Sequence, residues 1–412
     1  MAISGGALGA SNATNLAAAF KDLFPDRRLE QLSLMDRDIM RWFNKKDDLE
    51  GDGIFIPMRY GMPQGLGSGY AQAQTNVTSG KVKRVYIERN SYHSFVSLDN
   101  EAIRASRSKK GAFYGIKEAE IEDMIQMVSQ ELEAHLWRDG TGALGQISSI
   151  TTANPGVITL TNAEDAANFH VGMILEAATA VGGTDRLGDE AVANIDYDAG
   201  TLTMTSDVVT DHSWTANDYL YRGASDASAS DRGNVVSGLA AWIPATAETS
   251  GTFLTMDRTD DVVRLQGFRQ SYLGSIEETV KKLRSKMGRM SSNPDSVWLS
   301  HDNWHRLELE LGSRAVREDG MAATFGLPSL KYASPKGLMR VYAGAFCPED
   351  VGYLLKRSTW TIHHLDGLPH LDVSDGLRSI RSRDADALEV HGRYWCELAC
   401  DGPFHNGRFA IG

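Results

Sequence analysis

Cysteine is nearly missing from this 412-residue chain: only Cys347, Cys396 and Cys400 occur. Three thiols cannot build a disulfide framework, so a core must hold the fold, and the usage fits a reducing compartment. Proline is scarce too, 11 against 40 glycines, which points to many turns and long loops rather than a tight helical bundle. Positive charge is in deficit, since 42 Lys and Arg against 54 Asp and Glu leave a net charge of −12. A protein whose main task is gripping phosphates needs the reverse balance; an acidic surface suits one that lies near DNA without sticking. Nor does any stretch reach the roughly 18 apolar residues that cross a bilayer. The opening MAISGGALGASNATNLAAAF has neither the basic nor the apolar region of a secretory signal. No repeat of fixed period is visible. With 42% hydrophobic and 23% charged residues the chain still has the composition of a folded protein. Its length allows two to three domains.

Residues 1–50 begin with small residues and carry amphipathic patches only around Phe20–Phe24 and Ile39–Phe43. So little apolar surface predicts an extended arm that gains order by lying on a neighbour. Two strands are expected, GIFIPMRY at 53–60 and KVKRVYIERNSYHSFVSL at 81–98, separated by the glycine-rich GMPQGLGSGYAQAQTNVTSG. Together they predict a long two-stranded finger with a loose tip and no core of its own. The clearest helix is 116–138, where Ile121, Ile125, Val128, Leu132 and Leu136 form one stripe. Glu118, Glu120, Glu122 and Asp123 sit in its first turns, where the helix dipole favours negative charge, and Gly140 and Gly142 end it.

At about Gly145 the pattern changes to short β-rich runs, continuing to 222, with an Asp198-Ala199-Gly200 turn; this predicts a small inserted β-barrel or sandwich. A polar linker follows at 223–235. Residues 257–290 read as helical on the spacing of Val262, Leu265, Phe268, Tyr272, Ile276, Val280 and Leu283. After Asn293-Pro294-Asp295 come a buried strand at 297–299, a helix His301–Leu311 capped by Ser300, and strands at 339–343, 351–356, 359–364 and 386–400.

Several groupings invite chemistry. His301 and His305 stand four apart on one helix face, a zinc-ligating spacing that would suit a metal-dependent hydrolase. Asp302 holds the place where the motif needs Glu, and Trp304, Leu307, Leu309 and Leu311 read as ordinary packing. His363 and His364, with Asp366 and His370, form another cluster, but neighbours on a strand point to opposite faces. Gly65, Gly67 and Gly69 faintly resemble a phosphate loop, without the following helix that a nucleotide site requires. Cys396 and Cys400 lack a second pair for zinc and read as core. Basic residues gather at Lys81, Lys83 and Arg84, at Arg104, Arg107, Lys109 and Lys110, and at Lys281, Lys282, Arg284, Lys286 and Arg289. Solvated faces, pairing with acidic neighbours such as Glu118–Asp123 of another copy, and genome contact all remain open for them. No Ser-His-Asp spacing or paired carboxylates stand out.

Arm, glycine-tipped finger, acid-started long helix, mixed α/β region and β-rich return: in this order the chain resembles the HK97-fold major capsid proteins of tailed bacteriophages. Gly238-Leu239-Ala240-Ala241-Trp242-Ile243-Pro244 is similar to their G-L-x-x-W segment, and Asp384–Cys400 with Gly402-Pro403 and Asn406-Gly407 to their C-terminal strand. The resemblance implies an α+β fold with an N-terminal arm at 1–50 and an E-loop at 51–100. It implies a spine helix with part of the peripheral domain at 101–145, an inserted β-rich domain at 146–225, a mainly axial domain at 236–375, and a return to the peripheral domain at 376–412. It further implies a non-enzymatic virion protein without cofactor. Such a protein assembles in host cytoplasm into pentamers and hexamers around double-stranded DNA, with portal, scaffolding and decoration proteins as partners. Intersubunit contacts would fall on Arg59, Gly65, Gly67, Gly69, Lys81, Lys83, Arg84, Glu118 and Glu122. Some family members crosslink a finger lysine to asparagine, for which Lys81, Lys83 and Asn406 are the residue types. With 50 residues before the finger, no room is expected for a cleaved scaffolding segment. An encapsulin-type compartment shell is the alternative within the fold; a trimeric tail or receptor-binding protein would need fibrous repeats.

Overall fold

A computed structural model describes residues 38–100, 116–181, 183–223, 232–311, 330–334, 337–372, 380–381 and 386–412. Residues 1–37, the Arg104–Lys110 basic group and most of the polar linker lie outside the described residues. In chain order come α1 (Asp38–Trp42), β1 (Asn44–Asp47), β2 (Ile54–Gly61), α2 (Tyr70–Thr75), β3 (Lys81–Ile87), β4 (Asn90–Asp99) and α3 (Ile116–Trp137). Next are β5 (Gly145–Ile150), β6 (Val157–Leu160), β7 (Ile174–Ala178), β8 (Glu190–Asp196), β9 (Thr201–Met204), α4 (Val208–His212), β10 (Tyr219–Arg222) and α5 (Leu239–Trp242). The remainder runs β11 (Phe268–Gln270), α6 (Ile276–Arg289), β12 (Ser296–Leu299), α7 (His301–Leu311), β13 (Leu330–Ser334), β14 (Gly337–Ala343) and β15 (Val351–Leu355). It closes with β16 (Trp360–Leu371), β17 (Ile380–Arg381), β18 (Ala387–Cys400) and β19 (Gly407–Ala410). Among the described residues, no helix is long and apolar enough to cross a membrane.

The chain divides into two compact units. The first takes in residues up to Gly51, Arg89–Glu133 and Ile362–Glu397. Its five-stranded sheet joins β1, β16, β18 and β17, with β4 also paired to β18. The β4–β18 ladder is antiparallel, from Asp99 opposite Ala387 to Asn90 opposite Cys396. Here 81–98 is not one strand: the chain leaves β3 at Ile87 and enters a different sheet at Asn90. Against this sheet the α3 stripe seats Ile121, Met124 and Ile125 on Val96, Leu371 and Val390. Over Asp38–Leu49 the chain is not a loose arm, because Ile39, Met40, Phe43 and Leu49 are buried and β1 joins the sheet.

The second unit takes in Asp52–Glu88, Ala134–Thr361 and Leu398–Gly412. Within it, β10-β5-β6-β9-β8-β7 close into a barrel filled by Ile147, Ile158, Phe169, Leu175, Leu202, Trp214 and Leu220 among others. The Asp198-Ala199-Gly200 turn forms as its residue types require. Asp196 Oδ1 accepts from the amides of Asp198 and Ala199, and Gly200 takes φ +62° where a Cβ would lie 2.4 Å from Ala163 Cα. A six-stranded sheet follows in the order β11-β19-β15-β12-β14-β13. Helices α6 and α7 cover one face of it through Ile276, Val280, Leu283, Met287 and Leu307. On the sheet, Trp298 and Tyr353 sit on adjacent strands, and Trp137 from the end of α3 packs on both, at 5.7 and 5.9 Å between ring centroids.

Helix 257–290 is shorter than its apolar spacing implied. Ser275 caps α6, its hydroxyl accepting from the Glu278 amide at 3.1 Å, so the helix starts there. Upstream, Gly267 is at φ +77° with space for a Cβ limited to 3.1 Å by Asn406 O, and β11 adds to the sheet edge beside β19. Tertiary pairing has overridden local periodicity there. The C-terminal stretch also divides, with β18 reaching Glu397 in the first unit and Leu398–Gly412 belonging to the second.

Candidate intersubunit surface

Strands β2 and β3 pair antiparallel from Ile54 opposite Ile87 to Gly61 opposite Lys81, with a bulge between Arg59 and Gly61. Side chains alternate across this ribbon as they must. One face carries Met58, Tyr60, Lys83, Val85 and Ile87; of these Met58, Val85 and Ile87 are buried. The opposite face carries Phe55, Pro57, Arg59, Val82 and Arg84, all exposed. There Arg84 lies with its guanidinium carbon 4.6 Å over the Phe55 ring, which is itself 4.6 Å from the Tyr86 ring. An exposed phenylalanine (54%) under the Arg84 guanidinium, with Arg59 further out on the same face, makes this face apolar and cationic together.

Beyond the strands the tip turns back through α2 and exposes Met62 (75%), Leu66 (80%), Tyr70 (85%) and Val77. It is less loose than its composition implied. Thr78 N donates to Gln64 O at 2.8 Å, Asn76 Nδ2 to Leu66 O at 2.8 Å, and Ser68 Oγ to Gln72 Oε1 at 3.2 Å. Gly67 is required by space, because a Cβ would come within 2.7 Å of Ala73 N, whereas Gly69 faces open space. At Gly65 a Cβ would meet Val77 at an ordinary 3.6 Å. A helix does follow these glycines, but it is six residues long with no buried residue, which leaves the phosphate-loop likeness without a supporting strand-helix frame.

The lysines separate. Lys81 is exposed beside the bulge. Lys83 turns toward its own chain instead, donating to Asp257 O at 2.6 Å and pairing with Asp260 Oδ2 at 2.9 Å and Asp257 Oδ2 at 3.3 Å. Tyr60 Oη donates to Asp260 at 2.8 Å, and Arg264 donates to Tyr60 O at 3.0 Å. Hydrogen bonds from the Thr259 hydroxyl and amide, then Lys83, hold the Asp257 carboxyl at about 2. Lys83 and Tyr60 hold Asp260 low as well. Burial works against the Lys83 charge, yet its bonds to Asp260 and Asp257 outweigh it and raise the ammonium's pKa. Glu122 is exposed on α3 together with Glu120 and Asp123; the side chain of Glu118 falls outside the described residues.

Asn406, a residue type for the lysine–asparagine crosslink, has a structural place within its own chain. Its side chain is fully buried and its amide is used throughout, accepting from Lys356 N and Trp360 Nε1 and donating to Thr359 Oγ1 and Gly402 O. An amide so engaged within its own chain offers no reactive face to a neighbour's lysine.

The other groupings also resolve. His301 and His305 are exposed, and His305 Nδ1 is 3.7 Å from Glu308. Asp302 gathers instead with Glu164 and Glu349, their oxygens within 4.8 Å of one another. Burial first, then Glu349 and Asp302, push Glu164 up to about 9. Residues so far apart in sequence left no local signal. His363 pairs with Asp48 at 2.6 Å, His364 lies 3.9 Å from Asp47, and His370 accepts from Arg393 at 3.3 Å, so each histidine has separate company. Cys347, Cys396 and Cys400 are buried free thiols. On α6, Lys281 pairs with Glu277, Arg284 is buried on Ser292 O and Asn293, and Lys286 reaches Arg269 O.

The G-L-x-x-W segment has a steric reason. A Cβ on Gly238 would lie 2.3 Å from His135 O and 2.5 Å from Leu136 O, so only glycine lets the chain abut the end of α3. Trp242, four residues on, is buried and donates to Leu398 O at 2.9 Å.

No family model and no curated protein matches this sequence. Among solved structures, the cyanophage A-1(L) capsid asymmetric unit is similar at 14% identity and TM-score 0.48, over 88% of both chains. The holo-SrpI encapsulin complex of Synechococcus elongatus is similar at 7% identity and TM-score 0.44, over 98% of this chain and 96% of that one. A chain from Mycobacterium phage Adephagia is similar at 8% identity and TM-score 0.43, with 96% of each chain covered.

Proposed function

We propose that this chain is the major shell subunit of an HK97-type phage capsid, working by self-association and not by catalysis. The observation that supports this most is the finger. It projects one exposed apolar and cationic face and an apolar tip, while its own chain contacts the opposite face at Met58, Tyr60 and Lys83. Exposed apolar surface on this scale marks an interaction site. Arg59 and Arg84 on that face complement the exposed Glu120, Glu122 and Asp123 of α3, so one copy supplies both halves of a contact with the next. A surface that matches a different patch on an identical molecule generates a ring where the rotation between copies closes.

On this reading, pentamers and hexamers close around double-stranded DNA, which the acidic chain encloses without sequence-specific binding. Portal, scaffolding and decoration proteins are the expected partners, in virions assembled in host cytoplasm. Negative-stain microscopy of the purified chain is the test. Closed shells of uniform diameter are expected; a monomer in sedimentation at high concentration ends the proposal.

A further inference from the structure

We infer that His370, Arg393, Asp372 and Trp395 form a proton-operated clamp, in which a proton added to His370 frees Arg393 from its bond across two strands. The clamp stands on the geometry of the first unit; its use toward a second copy rests on the proposed function.

The register brings these groups together. Val390 packs on α3, and a Cβ on Gly392 would meet Met124 Cε at 3.0 Å, so these positions of β18 face the helix. Arg393 and Trp395 therefore lie on the other face, opposite His93 and Ser91 of β4. Leu371 of β16 also packs on α3, which puts His370 on the face of Arg393. There Arg393 is held in three ways. It pairs through Nη1 with Asp372 Oδ2 at 2.9 Å, donates through Nε to His370 Nε2 at 3.3 Å, and sits 4.1 Å over the Trp395 ring. The His370 ring is 5.8 Å from the same indole.

These bonds fix the tautomer. A guanidinium only donates, so His370 Nε2 offers its lone pair and the proton is on Nδ1, which faces Gly367 O at 3.4 Å. A second proton must go to Nε2, where it would point at the Arg393 N–H. Two charged donors then replace a donor and an acceptor, and the bond is lost. Burial first, and then the charge of Arg393, hold the imidazole below its ordinary range, against Gly367 O and the carboxylates of Asp366 and Asp372. From α3, Met124, Ile125 and Val128 line the same small pocket as His370 and bring no charge. His93 stands across from Arg393, and His391 packs on Phe95. The clamp is complete above the ordinary histidine value of 6.5 and opens as pH falls below it.

Once it opens, two adjacent cations share the Asp372 carboxylate, and the surplus charge favours an acid from outside the chain. In a shell that acid belongs to a neighbouring copy, since 54 Asp and Glu against 42 Lys and Arg make acidic groups plentiful on it. Acidification thus switches on a contact that neutral conditions withhold.

Fluorescence of the full chain in dilute, unassembled form tests this, with the Trp395→Phe spectrum subtracted to isolate one indole among eight. A protonated imidazole quenches a neighbouring indole, so the Trp395 signal should fall about twofold from about pH 7.5 to about pH 5. His370→Gln should abolish the change. Arg393→Gln removes both the bond and the repelling charge and should move the midpoint up by about half a pH unit, whereas Asp372→Asn should move it down. A flat Trp395 signal, or a midpoint indifferent to both substitutions, overturns the clamp; should Arg393→Gln fail to fold, Asp372→Asn alone decides. The same pH step should lower the concentration needed for assembly about tenfold more in the parent than in His370→Gln. Equal responses overturn the contact with a neighbour. Microscopy scores the shells separately: a chain that switches but never assembles keeps the clamp and ends the shell reading, and shells from a chain with a flat signal do the reverse.

Discussion

The inserted barrel and the finger are both β-structure within one unit, yet they solve the problem of unpaired edges in opposite ways. Six strands of the barrel form a closed ring, and Phe169, Leu202, Trp214 and Leu220 are wholly buried inside it. Closure removes edges and lets a small sheet keep its own core. The finger has two strands, a buried root and an outer face that leaves Phe55 and Val82 in solvent. A two-stranded ribbon is marginal by itself. One element is complete in the single chain, and the other is complete only against something else. That difference places stability in the barrel and association in the finger.

Excising the finger tip should break this comparison most visibly. Replacing residues 62–80 with an Asn-Gly turn removes exposed groups and no core, so the monomer's melting temperature should move by about 2 °C or less. Shells should vanish from electron micrographs. Normal particles from the excised chain would falsify the finger's part in assembly.

The barrel should behave in the contrary manner. Trp214→Ala empties a fully buried site and should destabilise the barrel by about 3–5 kcal/mol. Calorimetry is then expected to show an early transition for the barrel alone, with the remaining transition unchanged. A single shifted transition would mean that the barrel does not hold itself together independently of the six-stranded sheet.

How far the sequence reveals such differences depends on where the signal is stored. The α3 stripe, the Ser300 cap and the Asp198-Ala199-Gly200 turn were legible because periodicity and turn chemistry are local. The barrel was legible as closely spaced strands, although closure itself needed the pairing of β7 with β10. The finger was legible as a ribbon, but not which face looks outward: Lys83 and Arg84 are neighbours with opposite roles. Phe268 fitted a helix by spacing and became a strand because β19 offered an edge. Glu131, Glu133 and His135 are buried on α3 against every expectation from their polarity, and nothing local in the sequence showed that Asn406 is held by bonds from four directions. Each miss is a long-range contact.

A gentler probe sharpens the contrast on the finger's surface. Phe55→Ser and Arg84→Glu alter the outer face without touching the buried root. Each should change monomer stability by no more than about 0.5 kcal/mol. Either should raise the protein concentration needed for assembly by about tenfold, as the loss of a contact of about 1.4 kcal/mol does. Light scattering against concentration reads this directly. A critical concentration unchanged in both variants would assign the contact to the tip alone.

The smallest effect distinguishes how the two elements are moored. The finger's ion pairs to its own chain include Asp257, held at about 2, so their contribution is present above the ordinary carboxylate range and is lost only as pH falls toward 2. The barrel's mooring contains Glu164 beside Asp302 of α7 and Glu349, with a carboxyl pushed up from 4.5 to about 9 by burial and by those two acids. A raised carboxyl means that the folded chain keeps a proton which the unfolded chain releases above about 4.5, so stability should decline as pH rises from there to about 9. Since Glu164 is partly exposed, solvent screening limits the effect to about 1 kcal/mol or less. Glu164→Gln keeps a neutral amide where the proton was shared and removes the linkage. Its melting temperature at pH 8.5 should exceed the parent's by about 1–3 °C, while the two should agree near pH 5. Parallel melting curves at both pH values would show that the three carboxylates do not share a proton, and that the barrel, like the finger, is moored without regard to pH in this range.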